Sequence, residues 1–487
     1  MACSAPTSRE RDKPIAPTTG TLQIVGMTRR HVVTATTLLA LAVGTLSACA
    51  RPLPDAAPAA EVRHEPSGSV RHVVLVTIDG LLPDSYLDPD AHGLRVPTLR
   101  RFVREGGHGD GTRSVFPSLT YPAHTSIATG VTPQKHGIVS NRAFDPLDKN
   151  AEAWYWYAED IKAPPLWELA RRRGLRTALI NWPVSVGAQV DWLVPEYWRS
   201  REPEDLKLVR ALSTPGLLES VQHDVPDLFA RFTPPEDSAS VDVASHIIRG
   251  DRPHLLLLHI WQVDHAQHHD GLWSPAAAAA VENADSQIAR LIQTVEQAGI
   301  GAQTAFVIAS DHGFANTSRQ VHPGALLREA GLITLDAKGK PSAYRVGVST
   351  GGGTAYLYAR EGEDASTEAS ARALFASRVG KPGSGIGRLF EREEIQSRGG
   401  DPRAFLALEA EAGVYFGAGL ATFETPPPYR ATHGYDPARP DMSTSLLWLA
   451  PGVRPGARHG TQLVDIAPTI AKWLELDLQQ TDGRALE

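Results

Sequence analysis

Cysteine is almost absent: Cys3 and Cys49 are the only two in 487 residues. At most one bridge could form, and none if Cys49 has another task, which excludes a disulfide-stapled scaffold. Runs of Lys or Arg are missing as well. The densest basic cluster, Arg171-Arg172-Arg173, falls at the end of an expected helix, where cations suit the dipole. With a net charge of −7 and a pI near 6.2, a nucleic-acid-binding surface is excluded, because phosphate-backbone binding shows as a basic stripe. There is no internal repeat. What is there is a balance of 42% hydrophobic and 21% charged residues, ordinary for one large globular core or a core with an inserted region.

The N-terminal residues read as an export signal. Met27 is followed by Arg29, Arg30 and His31, then by an apolar stretch from Val32 to Leu46, then by Ser47-Ala48-Cys49. That stretch is shorter than the roughly 20 residues a spanning helix needs. A basic start, a short apolar run and small residues before a cleavage point describe a secretory signal. Leu46-Ser47-Ala48-Cys49 resembles the lipobox of bacterial lipoproteins, which implies lipidation at Cys49 and anchorage on the periplasmic face of the envelope. Met27 is expected to be the true start, so that 1–48 comprise an upstream extension and signal. The Ala- and Pro-rich residues 49–70 read as a tether, and 71–487 as the catalytic domain.

Within that domain, Val73 to Ile78 is a continuous apolar, β-branched run ending at Asp79-Gly80. A strand apolar on both faces belongs inside a parallel sheet covered by helices. Similar runs occur at Thr177–Ile180, Leu255–Ile260, Ala305–Ala309 and Ser445–Leu449. Helical patterns follow Val96-Pro97 and span Pro165 to Arg173 and Pro275 to Ala298. This alternation predicts an α/β fold with a mostly parallel central sheet flanked by helices. About 191–240 and 317–430 are less regular and are expected to cap the site.

Acidic and imidazole residues sit where the strands end, the edge at which open parallel sheets bind ligands. Asp79 follows the first run. Asp264 and His268, four apart, share one side of a helical turn; His265 and His269 are a competing pair with the same spacing. Ser310-Asp311-His312-Gly313 follows another strand, and Thr432-His433-Gly434-Tyr435 lies in a distant loop. Singly, each is an ordinary polar turn or surface histidine. Together, three Asp and three His suffice for two metals with three protein ligands each, leaving open positions as catalytic zinc sites do. A helix beginning near Pro122 would put Thr120 at its N-terminus, an anion site, where a metal-bound hydroxyl could attack phosphorus. Thr120 could equally be an N-cap, and Ser118, Thr125 and Ser126 are rival hydroxyls.

The segment Thr120-Tyr121-Pro122-Ala123-His124, followed by Gly130-Val131-Thr132-Pro133-Gln134-Lys135-His136-Gly137-Ile138 and Asn141, resembles the nucleophile region of the nucleotide pyrophosphatase/phosphodiesterase family of the alkaline phosphatase superfamily. Pro165-Leu166-Trp167, Trp182-Pro183, Asp79-Gly80, Asp311-His312-Gly313 and His433-Gly434-Tyr435 match in the family's order. The resemblance implies two Zn2+: one held by Asp264, His268 and His433, the other by Asp79, Asp311, His312 and the Thr120 oxygen. It implies Thr120 as the nucleophile of a phospho-threonine route, Asn141 on a phosphoryl oxygen, His136 as structural, and a phosphodiester or nucleotide substrate beside Tyr121, His259 and Trp182. Three positions depart from the family: Ala123 stands for its Asn, Tyr121 for its Phe, and His259 for a Tyr that stacks on a base. Phosphomonoesterases and phosphonoacetate hydrolases share the metal set. From another class, a zinc-binding surface lipoprotein without turnover has the same ligands. Sulfatases need a Cys or Ser in a C/S-x-P-x-R context, which neither cysteine occupies.

Overall fold

The structure is a computed structural model that describes residues 69–150, 153–199, 203–232 and 235–486. The signal, the lipobox with Cys49 and nearly all of the tether lie outside the described residues. Among the described residues, no helix is long and apolar enough to cross a membrane.

Eight strands form the central sheet: β1 (His72–Ile78), β2 (Gly107–Gly109), β3 (Thr177–Trp182), β4 (Trp192–Pro195), β5 (Leu255–Ile260), β6 (Thr304–Ala309), β7 (Leu446–Leu449) and β8 (Gly456–Arg458). Their order is β8-β2-β7-β6-β1-β5-β3-β4. β1 pairs in parallel with β5 and β6, and β3 in parallel with β5 and β4. β7 alone runs antiparallel, to both β6 and β2, so the mostly parallel α/β sheet expected from the sequence is present.

The continuous apolar runs have a direct cause. Side chains alternate across a strand, and both faces of this sheet are covered. Val74, Val76, Ile78, Leu256 and Leu258 face one core with Ile288, Leu291 and Val295 of the helix Pro275–Gln297. Val73, Leu75, Leu255 and Leu257 face the other, against Ile127, Leu166 and Ile470. Burying each such side chain contributes about 1.5–3 kcal/mol. β1 therefore cannot shift register, and the residues after it are placed accordingly.

The two less regular stretches are built of short elements. Residues 191–240 supply edge strand β4 and the helices Pro203–Leu212 and Leu217–Asp224. Residues 317–430 contain an antiparallel sheet in the order Val346–Gly351, Thr354–Ala359, Leu406–Ala410, Ile386–Glu391, with its own core of Leu357, Phe375, Phe405 and Phe416. The turn of its first hairpin grips the loop that carries His433. Gly352 has φ +61°, and a Cβ there would lie 1.9 Å from the His433 carbonyl oxygen. The Gly353 N–H donates to that same oxygen at 2.9 Å.

Gly352→Ala should thus push the His433 loop off the turn and cost about 1–3 kcal/mol. Thermal melting checks this; a melting temperature equal to that of the unsubstituted chain contradicts the close packing.

Candidate active site

The C-terminal ends of β1, β5 and β6 deliver the acidic and imidazole residues to one place. Asp79 follows β1, Asp311 and His312 follow β6, and Asp264 and His268 sit on the helix Gln262–Asp270 that follows β5. His433 reaches in from its loop, its ring stacked on His312 with centroids 3.4 Å apart and planes at 6°. The donor atoms of Asp264, His268 and His433 all lie within 4.8 Å of one another, as do those of Asp79, Asp264 and His312. Asp264 is shared between the two groups, and Asp311 Oδ2 is 3.2 Å from His312 Nε2. His265 and His269 are exposed and turn away, their rings 4.4 Å apart.

The tautomers of the three histidines follow from their backbone partners. Nδ1 of His268 donates to the Ala431 carbonyl at 2.8 Å, Nδ1 of His433 to the Ser118 carbonyl at 3.1 Å, and Nδ1 of His312 to the Gly313 carbonyl at 3.2 Å. A carbonyl can only accept, so each Nδ1 carries its proton and each Nε2 is turned to the centre, the arrangement by which proteins orient metal-binding imidazoles. Asp79 Oδ1, Asp264 Oδ1 and Asp311 Oδ2 are buried there without a hydrogen-bond partner. His312 Nε2 stands 3.2 Å from both Asp79 Oδ1 and Asp311 Oδ2. Acceptors this close repel unless a proton or a cation lies between them. The ionisation of the cluster reflects that crowding. Burial and the neighbouring Asp79 push Asp311 up to about 7. Burial works against charge on His312, yet Asp311 and Asp79 bring it up to about 9. Burial, with the nearby His312 and His268, holds His433 well below its ordinary value. Three orphaned carboxylate oxygens and three oriented imidazole nitrogens fit divalent cations of the zinc type.

Thr120 opens the helix Thr120–Thr129, every residue of which is buried. It is not a cap: Leu119 occupies that position, and no side chain caps the helix. Thr120 Oγ1 instead lies 3.3 Å from His312 Nε2. The Tyr121 N–H donates to Asn141 Oδ1 at 2.9 Å, and Pro122 has no N–H, so the Thr120 amide is the donor this first turn offers an anion. The same bond leaves the Asn141 Nδ2 hydrogens to donate. Ser118 is committed elsewhere, its hydroxyl donating to the Tyr435 carbonyl at 2.8 Å. Thr125 Oγ1 donates to the Tyr121 carbonyl at 2.8 Å. His136 fastens the helix from outside. Its Nδ1 accepts from the Ile138 N–H at 3.1 Å, so its Nε2–H donates to Ser126 Oγ at 2.9 Å. Burial drives His136 down to about 3.

A cavity of ≈ 130 Å³ opens beside Thr120, lined among others by Tyr121, Trp154, Glu196, Tyr197, Trp198 and His259. The three residues expected beside the substrate are all deeply buried, Tyr121 at 1%, Trp182 at 0% and His259 at 2% exposure. Trp182 packs edge-on to His124 at 5.0 Å within a hydrophobic core and is not among the residues that line the cavity. His259 lines the cavity but is only 2% exposed, and it is not a free stacking face. Its Nε2 donates to Asp79 Oδ2 at 3.1 Å, and its Nδ1 donates to the Asn181 carbonyl at 3.1 Å. Burial opposes charge on this ring, but Asp79 and Glu196 raise it well above its ordinary value. Glu196, which no sequence pattern marked, accepts the Tyr121 hydroxyl at 3.1 Å. It arrives at the end of β4, a strand too short and too near the edge to stand out.

The fold and this cluster define an α/β protein with a carboxylate–imidazole centre and a helix-borne hydroxyl at the edge of a parallel sheet. The type I phosphodiesterase / nucleotide pyrophosphatase profile matches residues 73–436, and the chain belongs to that family. It is 28% identical over 258 residues to an uncharacterized pyrophosphatase/phosphodiesterase of Schizosaccharomyces pombe, a match covering 50% of this chain and 45% of the relative. It is 23% identical over 258 residues to human ectonucleotide pyrophosphatase/phosphodiesterase family member 1, covering 50% of this chain and 24% of the relative. The match thus spans less than half the length of these relatives. Murine ectonucleotide pyrophosphatase/phosphodiesterase 5, solved as an inactive threonine-to-alanine variant with AMP, superposes with a TM-score of 0.61 at 19% identity, covering 85% of this chain and 97% of that one.

His136 generates a pH prediction. Its folded value lies below the unfolded 6.5, so the folded state refuses a proton that the unfolded state takes. Stability is full above pH 6.5 and falls as pH drops from 6.5 toward 3, by about 1.4 kcal/mol per unit. Denaturant melts at pH 7 and pH 4.5 should show this loss, and His136→Asn should flatten the slope. An unchanged slope in that variant contradicts the assignment.

Proposed function

We propose that the chain is a two-zinc phosphodiesterase or nucleotide pyrophosphatase that works through a covalent phospho-threonine. The observation that carries this reading is the contact of Thr120 Oγ1 with His312 Nε2 at 3.3 Å, at the start of a helix and at the edge of the ligand cluster. Asp264, His268 and His433 would hold one zinc, and Asp79, Asp311 and His312, with the Thr120 oxygen, the other. Zinc bound there would supply positive charge that lowers the pKa of the hydroxyl and neutralises the phosphate. Thr120 Oγ1 attacks phosphorus, a new P–O bond forms, and the bond to the departing alcohol or phosphate breaks, that group leaving with a proton. The Thr120 amide and Asn141 Nδ2 bind a phosphoryl oxygen as its charge grows. Water then attacks the phospho-threonine and restores Thr120.

Diesters should be favoured over monoesters. A monoester dianion needs a further cation, and Leu119, Tyr121, Pro122 and Ala123 supply none. Arg142, the nearest cation in sequence to Asn141, lies over the Trp154 ring at 5.4 Å. The aromatic residues of the cavity suit an organic substituent on phosphorus, such as a base or aryl group. Its substrate would be a small phosphodiester or nucleotide. We further read the protein as exported and anchored through lipid on Cys49, with the membrane engaged through that anchor alone; Cys49→Ser should release it to the soluble fraction.

Thr120→Ala should abolish hydrolysis of a nitrophenyl diester while bound zinc, measured by elemental analysis, stays unchanged. Ser118→Ala should keep most activity, and Asn141→Ala should lose about 10²–10³ in rate. The unsubstituted enzyme should prefer diester to monoester by at least about tenfold in kcat/KM, or ~1.4 kcal/mol. Activity surviving Thr120→Ala, or a monoester preference lost on Arg142→Ala, overturns the reading.

A further inference from the structure

Two of the departures from the family pattern, Tyr121 and His259, lie far apart in the chain but meet at one side chain. Glu196 Oε1 accepts the Tyr121 hydroxyl at 3.1 Å, and Glu196 Oε2 makes an ionic contact with His259 Nδ1 at 3.4 Å. The opposite nitrogen of His259 donates to Asp79 Oδ2 at 3.1 Å. The groups Tyr121, Glu196, His259 and Asp79 therefore run in sequence from the cavity wall to the metal-cluster carboxylate, joined by hydrogen bonds at both ends and by a charge contact between Glu196 and His259, whose Nδ1–H goes to the Asn181 carbonyl. The Phe that the family places at the first of these positions has no hydroxyl to donate. A Tyr in place of His259 could not donate to Asp79 and face Glu196 at once. Glu196 is partly buried and its Oε2 is shielded from solvent, where a carboxylate oxygen facing no positive charge is costly, so the two polar replacements and Glu196 form one unit.

We infer that Glu196 is a positioning residue, holding the Tyr121 ring in the cavity wall and, through His259, the orientation of Asp79 toward its metal. This deepens the proposed function and rests on it for the ligand role of Asp79. The substituent on phosphorus then meets a wall in which Tyr121 is held by Glu196, among the further aromatic residues Trp154, Tyr197, Trp198 and Trp261. Trp154 backs Tyr121 from the other side, with ring centroids 5.1 Å apart, so the ring is held on both flanks.

The test uses the full protein with two readouts. Competition between the protein and a chromophoric chelator for zinc alone, with no substrate present, reads the metal end. His259→Phe should weaken zinc binding about 10–100-fold, and Glu196→Gln, one step further out, about 3–10-fold. At saturating zinc, Glu196→Gln should raise KM for a nucleoside 5′-(p-nitrophenyl) phosphate about fivefold, with kcat within about twofold of the unsubstituted enzyme. Because the residues act as one chain, Tyr121→Phe/Glu196→Gln should match Glu196→Gln within about twofold, where independent effects would multiply. A Glu196→Gln protein with lowered melting temperature but unchanged zinc affinity and KM overturns the inference, as do multiplicative effects in the double variant. If no ester is turned over at all, the functional reading fails, while the zinc measurement still decides whether the chain exists.

Discussion

Three carboxylates and three imidazoles are pressed together, four of them buried and two partly so, at the end of a sheet, and this electrostatic constraint organises the rest of the molecule. Each imidazole spends its Nδ1–H on a backbone carbonyl, at Ala431, Ser118 or Gly313. Each therefore turns its Nε2 toward carboxylate oxygens that can only accept, an arrangement that needs positive charge, from a proton or a cation, to hold together. Burial raises the stakes, because in a low dielectric neither the carboxylates nor the histidines find compensation from solvent. A layered fold with both sheet faces sealed holds such a cluster in place by spreading the cost over two hydrophobic cores.

The support comes from parts of the chain far apart in sequence. β1 and β6 place Asp79, Asp311 and His312 directly, and the helix Gln262–Asp270 that follows β5 carries Asp264 and His268. The sixth, His433, depends on the antiparallel sheet of the inserted region, whose Gly352-Gly353 turn takes the His433 carbonyl as a hydrogen-bond partner. The Ser118 carbonyl then orients the His433 ring from the segment just before the helix of Thr120. The loop that carries a metal-type ligand and the helix that carries the hydroxyl are thus joined directly, and the position of one constrains the other.

Much of this was legible in the sequence. The runs at Val73–Ile78 and Leu255–Ile260 are apolar at every position because both faces are buried, and that feature needs no tertiary information. Asp79, Asp264 and His312 could be found because they directly follow such runs or stand one helical turn beyond. What was not legible depends on contacts across the chain. Glu196 follows a four-residue edge strand in a stretch of Pro and charge, and only its distances to Tyr121 and His259 show its place. Trp182 is expected near the substrate from the family resemblance of Trp182-Pro183, and its packing in a hydrophobic core against His124 depends on contacts across the chain. His259 is a polar residue in a run otherwise apolar, and its role as a partner of Asp79 follows from the parallel pairing of β1 with β5. The antiparallel sheet within 317–430 escaped because strands such as Val346–Gly351 and Ile386–Glu391 mix apolar residues with Gly and polar ones instead of running apolar throughout, and its connections are rich in Gly and charge.

The central claim is that the cluster binds two metals, one of them in contact with the Thr120 oxygen. Anomalous diffraction at the zinc edge from crystals of the zinc-loaded protein tests it most directly. The account predicts two peaks roughly 3.5–4 Å apart, one among Asp264, His268 and His433, the other among Asp79, Asp311 and His312 with Thr120 Oγ1 as a ligand. A single peak, or two peaks with Thr120 Oγ1 outside coordinating distance of both, would contradict it.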